Sequence, residues 1–170
     1  EIGSGLVGSE MCIRDRYIAG KKRNIHINYT LQTNGILLDD DWCKFLAKYG
    51  FLIGISLDIL PESHDAIRVD TAGQGTYEQV LRSISLLKKH HIEHNVLCTL
   101  TRQTARHPAK VWAQIKKLDL SYIQFTPCLG DLNSPGSSAY ALTPERFFHF
   151  YSDLFDLWYR DFATGNYRSI

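Results

Sequence analysis

Four short polar clusters in this 170-residue chain stand where apolar segments end. They read QTNG from Gln32, SLD from Ser56, TLTR from Thr99 and TPCL from Thr126. In parallel α/β proteins, ligands gather at the carboxyl ends of the strands, so these clusters are the first candidates for binding chemistry. Ser56 is the most informative of them because its hydroxyl interrupts an apolar run. That hydroxyl needs a hydrogen-bond partner, which the sequence leaves open as backbone or ligand.

Charged side chains near the SLD cluster are further candidates for ligand binding. Asp58 either caps a following helix or accepts a hydrogen bond from a ligand. His64 and Arg68 have helical spacing, and a guanidinium at this edge is suited to a ligand carboxylate. Arg68 could equally pair with Asp65 or Asp70. The residues alone do not decide between these alternatives.

Other chemistries find little support. The cysteines are too far apart for a local zinc or iron–sulfur site, and no metal ligand is assigned. Cys43 and Cys98 are predicted to be core residues. No catalytic triad or phosphate-binding loop is present, and the catalytic residues stay unknown. A net charge of +1 argues against nucleic acid as a partner. The lack of an apolar run of about 18 residues argues against a membrane span and favours a cytoplasmic protein.

Strand and helix signals alternate along most of the chain. The predicted strands are 25–31, 51–57, 92–100 and 121–127. The predicted helices start at Asp39, Thr76, Pro108 and Thr143. The run 51–57 is almost wholly apolar, which predicts a strand buried on both faces. Repeated βαβ units of this kind predict an α/β fold, as a parallel-stranded piece of a (β/α) barrel.

Residues 1–16 show no clear period. Their segment GLVGSEMCIRDR resembles translated sequencing-adapter read-through, so this stretch is predicted to be non-native and is excluded from the fold. The predicted domain covers residues 17–170.

Several segments, in this order, carry a family resemblance. They are LQTNGILLDDDWCKFL, GISLD, HDAIRVD, GQGTYEQV, NVLCTLTRQTARHP, YIQFTPCL and FDLWYRDF. From about His26 onward the chain resembles the anaerobic sulfatase-maturating enzymes, a group of radical S-adenosylmethionine enzymes. The resemblance implies a partial (β/α) barrel that binds S-adenosylmethionine against a 4Fe–4S cluster. Reductive cleavage there gives a 5′-deoxyadenosyl radical, which begins the oxidation of a sulfatase cysteine or serine to formylglycine. It also implies an electron donor such as a flavodoxin or ferredoxin.

The resemblance carries over to individual positions. Ser56 matches a hydroxyl that contacts the methionine or ribose part of the cofactor, and Arg68 falls where a cation pairs with the methionine carboxylate. The backbone near Leu129 matches an adenine contact, and Asn34 is expected to face the cavity. Asp58 completes the predicted cofactor-binding set.

Two motifs of the family are absent from these 170 residues: the C-x-x-x-C-x-x-C loop that ligates the cluster, and the Gly-Gly-Glu strand that follows it. The chain as given is therefore predicted to be inactive, although its parent protein is expected to be an enzyme. Two alternatives remain. One is a radical enzyme that modifies a different substrate protein, and the other is a cluster-free α/β binding module.

Overall fold

A computed structural model describes residues 4–131, 133 and 138–170. The elements are, in chain order, α1 (Ser4–Arg23), β1 (Tyr29–Thr33), α2 (Asp40–Tyr49), β2 (Phe51–Ser56), α3 (Pro61–Asp65), α4 (Tyr77–Lys89), β3 (His94–Leu100), a short 3-10 turn (Thr104–Arg106), α5 (Pro108–Lys117), β4 (Ile123–Pro127) and α6 (Pro144–Ala163).

The four strands form one parallel sheet in the order β1-β2-β3-β4. Ile55 of β2 is level with Thr33 of β1 and with Val96 of β3, which in turn is level with Ile123 of β4. Strand order follows chain order without reversal, as in a (β/α) barrel and unlike a doubly wound sheet. The predicted fold class is confirmed.

The two faces of the sheet differ in burial. Side chains on the helix-covered face form the core: Phe51, Ile53, Ile55, Val96, Cys98, Leu100, Ile123 and Phe125 are all buried. The other face, called the open face below, is half-buried or exposed. On it Leu52 is 42% exposed, so the prediction that β2 is buried on both faces is wrong. Burial alternates along β2 because nothing among the described residues covers the second face of the sheet.

The helix starts follow the sequence with one exception. Asp39 accepts a hydrogen bond from the Trp42 N–H at 2.8 Å, and Gly50 ends α2 with φ +65°. Thr76 stands at the cap position of α4, but its hydroxyl makes no cap bond. The N–H of Tyr77 donates instead to the Asp65 carboxylate at 2.9 Å.

The opening segment is more regular than its sequence suggests. α1 runs from Ser4 to Arg23, although residues 1–16 show no clear period in the sequence. The helix has no apolar stripe, and its Tyr17 packs edge-on against Tyr49 of α2 at 5.2 Å between ring centroids. The sequence pattern missed α1 because a contact of this kind has no local period. The domain boundary proposed at residue 17 stays a prediction.

Candidate functional site

The four polar clusters lie at one edge of the sheet. All four strands are parallel, so their carboxyl ends meet there. Ser56 ends β2 and is level with Leu97, while Thr99 of β3 is level with Thr126 of β4. The strand order thus brings together residues that are 70 positions apart in sequence, as the alternating pattern predicted.

The hydroxyl of Ser56 is available for a ligand. Its side chain lies on the open face and is half-buried. Within the described part of the chain, its oxygen makes no hydrogen bond, although the sequence left a backbone partner possible. A half-buried hydroxyl at the end of a strand with no internal partner can accept from, or donate to, a bound molecule.

Asp58 is buried and is hydrogen-bonded inside the protein. It is 2% exposed, and its carboxylate accepts from Arg68 Nε at 2.7 Å and from the Thr99 N–H at 2.8 Å. It does not cap α3, whose cap position is Leu60. Direct contact between Asp58 and a ligand is therefore not favoured by the geometry. Asp58 instead holds Arg68, and it joins the loop after β2 to β3.

Arg68 keeps one edge of its guanidinium free. Nε and Nη2 donate to Asp58, and Nη2 also donates to the hydroxyl of Thr99 at 3.3 Å. Among the described residues, Nη1 has no hydrogen-bond partner, and the side chain is 29% exposed. The alternatives of Asp65 and Asp70 are wrong: Asp65 binds the start of α4, and Asp70 accepts from backbone N–H groups of its own turn.

A histidine that sequence reasoning left unassigned lies directly behind this pair. His64 is fully buried, and its Nδ1 is 3.1 Å from the backbone N of Asp58. Burial lowers the pKa of His64 below its ordinary value. Its spacing from Arg68 suggested a shared helical face, but α3 ends at Asp65, before Arg68. Because the contact depends on the loop between them, no periodic signal could have revealed it.

The other two predicted cofactor residues lie on loops. Asn34 is exposed, and its Oδ1 accepts from the Ile36 N–H at 3.3 Å, so part of its hydrogen-bonding capacity stabilises its own turn. Leu129 is 73% exposed. Its backbone N–H and C=O have no partner in the described residues, whereas those of Cys128 pair with Leu100 and Leu142. The free peptide groups at Leu129 are suited to the edge of a planar heterocycle.

The cysteines do not form a metal centre. Cys43 and Cys98 are buried in the core, as predicted, and burial raises the pKa of the Cys98 thiol to about 12. Residues 4–131, 133 and 138–170 contain no group of three or more His, Cys, Asp or Glu side chains that could hold a metal ion. Among these residues, no helix is both long and apolar enough to span a membrane.

A separate cavity of about 800 Å³ opens at the opposite, amino edge of the sheet. Its lining includes Glu93, Asn95, Tyr122 and Gln124, and none of the four polar clusters contributes to it. The free hydroxyl, free guanidinium edge and free peptide groups lie at the carboxyl edge instead.

Comparisons with known proteins identify the family of the chain. A family model described as the radical SAM superfamily matches residues 8–111. The cysteine-type anaerobic sulfatase-maturating enzyme of Clostridium novyi (strain NT) is 40% identical over 149 residues, which cover 87% of this chain and 40% of that protein. The serine-type enzyme of Bacteroides thetaiotaomicron is 30% identical over 166 residues, covering 89% and 39%.

A solved structure of native anSMEcpe with bound AdoMet and Kp18Cys peptide is also similar. It is 42% identical with a TM-score of 0.83, over 87% of this chain and 41% of that one. The chain thus spans about 40% of the length of the curated relatives it matches. The family model covers more than half of the chain, and the resemblance to the maturases extends over most of it. The chain therefore belongs to the radical SAM superfamily.

Proposed function

We propose that this chain forms part of the S-adenosylmethionine-binding barrel of an enzyme that oxidises a sulfatase side chain to formylglycine. One observation carries the proposal: at the carboxyl edge of the sheet, Arg68 has a guanidinium edge without a partner among the described residues, and Ser56 has a free hydroxyl. S-adenosylmethionine offers the matching groups, a carboxylate and a ribose. The likeness to maturases, at 40% identity over 149 residues, supports this choice of family.

Each residue has a distinct role in the proposed site. Arg68 donates from Nη1 to the methionine carboxylate, while Asp58 holds the opposite edge of the guanidinium. Ser56 contacts the methionine or ribose part, and the backbone of Leu129 contacts the adenine. Asn34 lies on the loop after β1 and is proposed to face the bound cofactor. When bound and reduced, S-adenosylmethionine supplies the radical that takes hydrogen from the substrate.

The substrate residue is proposed to be cysteine. The cysteine-type enzymes of Clostridium novyi and Clostridium perfringens are 40% and 42% identical to this chain over 149 residues. The serine-type enzymes are 30–35% identical, over 107 or 166 residues. The sulfatase polypeptide is thus the proposed partner, with a flavodoxin or ferredoxin as the electron donor.

The 4Fe–4S cluster of the proposed enzyme is not held by the cysteines described here. Cys43 and Cys98 are buried in the hydrophobic core, and the described residues contain no group of three or more potential metal ligands. Three thiolates must converge on one small centre to ligate such a cluster. The 170-residue chain by itself is therefore proposed to be inactive, and no step of the reaction is assigned to its cysteines.

Binding measurements test the cofactor site directly. In the full-length gene product with its cluster reconstituted, Arg68→Gln should weaken S-adenosylmethionine by about tenfold or more, because a charged hydrogen bond is lost. Arg106→Gln is the matched control, since Arg106 is exposed on the 3-10 turn. Equal affinities of the two variants, measured by equilibrium dialysis, would contradict the assignment of Arg68.

A radical enzyme with another substrate protein remains the second candidate, because S-adenosylmethionine binding is common to the superfamily. Both enzymes would produce 5′-deoxyadenosine, and only the maturase would produce formylglycine in a sulfatase peptide. A cluster-free binding module would produce neither.

A further inference from the structure

Four residues behind the free edge of Arg68 form a closed ring of hydrogen bonds, called the Arg68 ring here. The Asp58 N–H donates to Nδ1 of His64 at 3.1 Å, and Nε2 of His64 lies 3.1 Å from the hydroxyl of Thr76. That hydroxyl donates to the backbone oxygen of Arg68 at 2.9 Å. Arg68 Nε closes the ring by donating to Asp58 at 2.7 Å.

The direction of every bond in the Arg68 ring is determined. The hydroxyl of Thr76 has one hydrogen, which goes to the backbone oxygen of Arg68, so its oxygen must accept from Nε2–H of His64. Nδ1 of His64 then carries no proton and accepts from the Asp58 N–H. His64 is therefore neutral, in agreement with the burial that lowers its pKa.

The Arg68 ring compensates for a lack of regular structure. Between Asp58 and Arg68 the chain forms only the five-residue helix α3, and the turn that follows Arg68 has Val69 half exposed. Neither a strand nor a long helix therefore fixes the guanidinium. His64 links the two halves of the ring. Its Nδ1 accepts from the backbone N–H of Asp58, and its Nε2 donates to Thr76, which in turn donates to the backbone oxygen of Arg68.

We propose that His64 is a positioning residue that aligns Arg68 with the carboxylate of S-adenosylmethionine by fixing the backbone of Asp58. This inference rests on the proposed function, in which Arg68 contacts that carboxylate. His64 itself contacts no ligand because it is fully buried. Its effect must therefore be selective for ligands that carry the amino-acid part.

Two conservative variants test the hydrogen bonds of the two His64 nitrogens separately. In His64→Asn the side-chain oxygen replaces Nδ1 and still accepts from the Asp58 N–H, but the bond to Thr76 is lost. In His64→Gln the amide nitrogen replaces Nε2 and still donates to Thr76, but the acceptor for Asp58 is lost. Each variant loses one buried hydrogen bond, so the two are matched in their general cost.

The experiment compares two ligands in the cluster-loaded, full-length gene product by equilibrium dialysis. S-adenosylmethionine carries the carboxylate, whereas 5′-methylthioadenosine lacks the whole amino-acid part. We expect His64→Gln to weaken S-adenosylmethionine about tenfold more than His64→Asn does, with 5′-methylthioadenosine affected equally by both. Equal losses for both ligands, or equal losses in both variants, would overturn the positioning role and leave His64 as a core residue.

Two further variants keep the inference testable if the His64 variants do not fold. Thr76→Val removes the hydroxyl with little change of shape, and Thr76→Ser retains it. Thr76→Val should weaken S-adenosylmethionine selectively and Thr76→Ser should restore it; a nonselective loss would overturn the inference. Arg68→Gln is the reference: if that variant leaves S-adenosylmethionine binding unchanged, the proposed function fails at Arg68, independently of His64.

Discussion

The two faces of the parallel sheet differ in burial and in their expected roles. On the helix-covered face, Ile53, Ile55 and Val96 are at most 1% exposed and belong to one hydrophobic core. On the open face, Ser56 and Gln124 are half-buried or exposed, and Ser56 lies at the carboxyl edge, where the cofactor is proposed to bind. Because neighbouring residues of a strand point to opposite faces, adjacent positions of β2 are expected to serve stability and binding separately. Substitutions on one face should leave the other property nearly unchanged.

The largest expected effect is on stability, at Ile55. Ile55→Ala should lower the free energy of unfolding by about 2–5 kcal/mol, because it leaves a cavity in the core. Gln124→Ala on the open face is the control and should change it by at most about 0.5 kcal/mol. Urea unfolding followed by circular dichroism measures both. Similar losses at the two positions would remove the distinction between the faces.

The next effect is a dependence of stability on pH that comes from His64. Its pKa in the folded protein is below the ordinary 6.5, mainly through burial, with Arg68 acting in the same direction and Asp58 and Asp65 opposing. The unfolded chain therefore binds this proton more readily. The contribution of neutral His64 to the free energy of unfolding is therefore complete above pH 6.5. It is lost as the pH falls from there through the folded-state pKa.

Unfolding free energies measured above and below pH 6.5 test this dependence. His64→Asn should flatten the decline on acidification, whereas Gln124→Ala, at an exposed position without a titratable group, should leave it unchanged. An unchanged slope in His64→Asn would mean that His64 is not held neutral in the folded protein.

A smaller effect is expected for Ser56, and it concerns binding alone. Ser56→Ala should raise the dissociation constant of S-adenosylmethionine roughly two- to tenfold, because one hydrogen bond to the ligand is lost. The free energy of unfolding should change by no more than about 0.5 kcal/mol, since the hydroxyl has no partner in the described part of the chain. A loss of stability with unchanged affinity would place Ser56 with the core residues.

The smallest effect concerns Leu129, where the proposed contact is made by the backbone. Leu129→Ala should leave nucleoside binding unchanged because the side chain is 73% exposed. Leu129→Pro removes the free N–H and should weaken S-adenosylmethionine and 5′-methylthioadenosine equally. If alanine weakens binding as much as proline does, the side chain and not the peptide group makes the contact.

Sequence alone could predict the elements whose signals are local. Asp39 and Gly50 mark the ends of α2, Thr143 marks the start of α6, and the apolar run before Ser56 marks β2. The shared edge of the four polar clusters follows from parallel strands. These inferences need only caps, periods and strand direction.

Contacts between distant segments could not be predicted in the same way. The partner of Arg68 is Asp58 and not Asp65 or Asp70, and Asp58 also binds Thr99, 41 residues away. Thr76 has the sequence of a helix cap, yet its hydroxyl belongs to the Arg68 ring. Each of these hydrogen-bond partners depends on how a loop folds back on the sheet, which local propensity does not encode.

The most direct test of the account is turnover by the full-length gene product, reduced anaerobically with its cluster reconstituted. It would be incubated with S-adenosylmethionine and with sulfatase peptides that have cysteine or serine at the modified position. Mass spectrometry should find formylglycine in the cysteine peptide, together with 5′-deoxyadenosine. Formation of 5′-deoxyadenosine without formylglycine in either peptide would contradict the maturase function, and the absence of both products would contradict the radical chemistry itself.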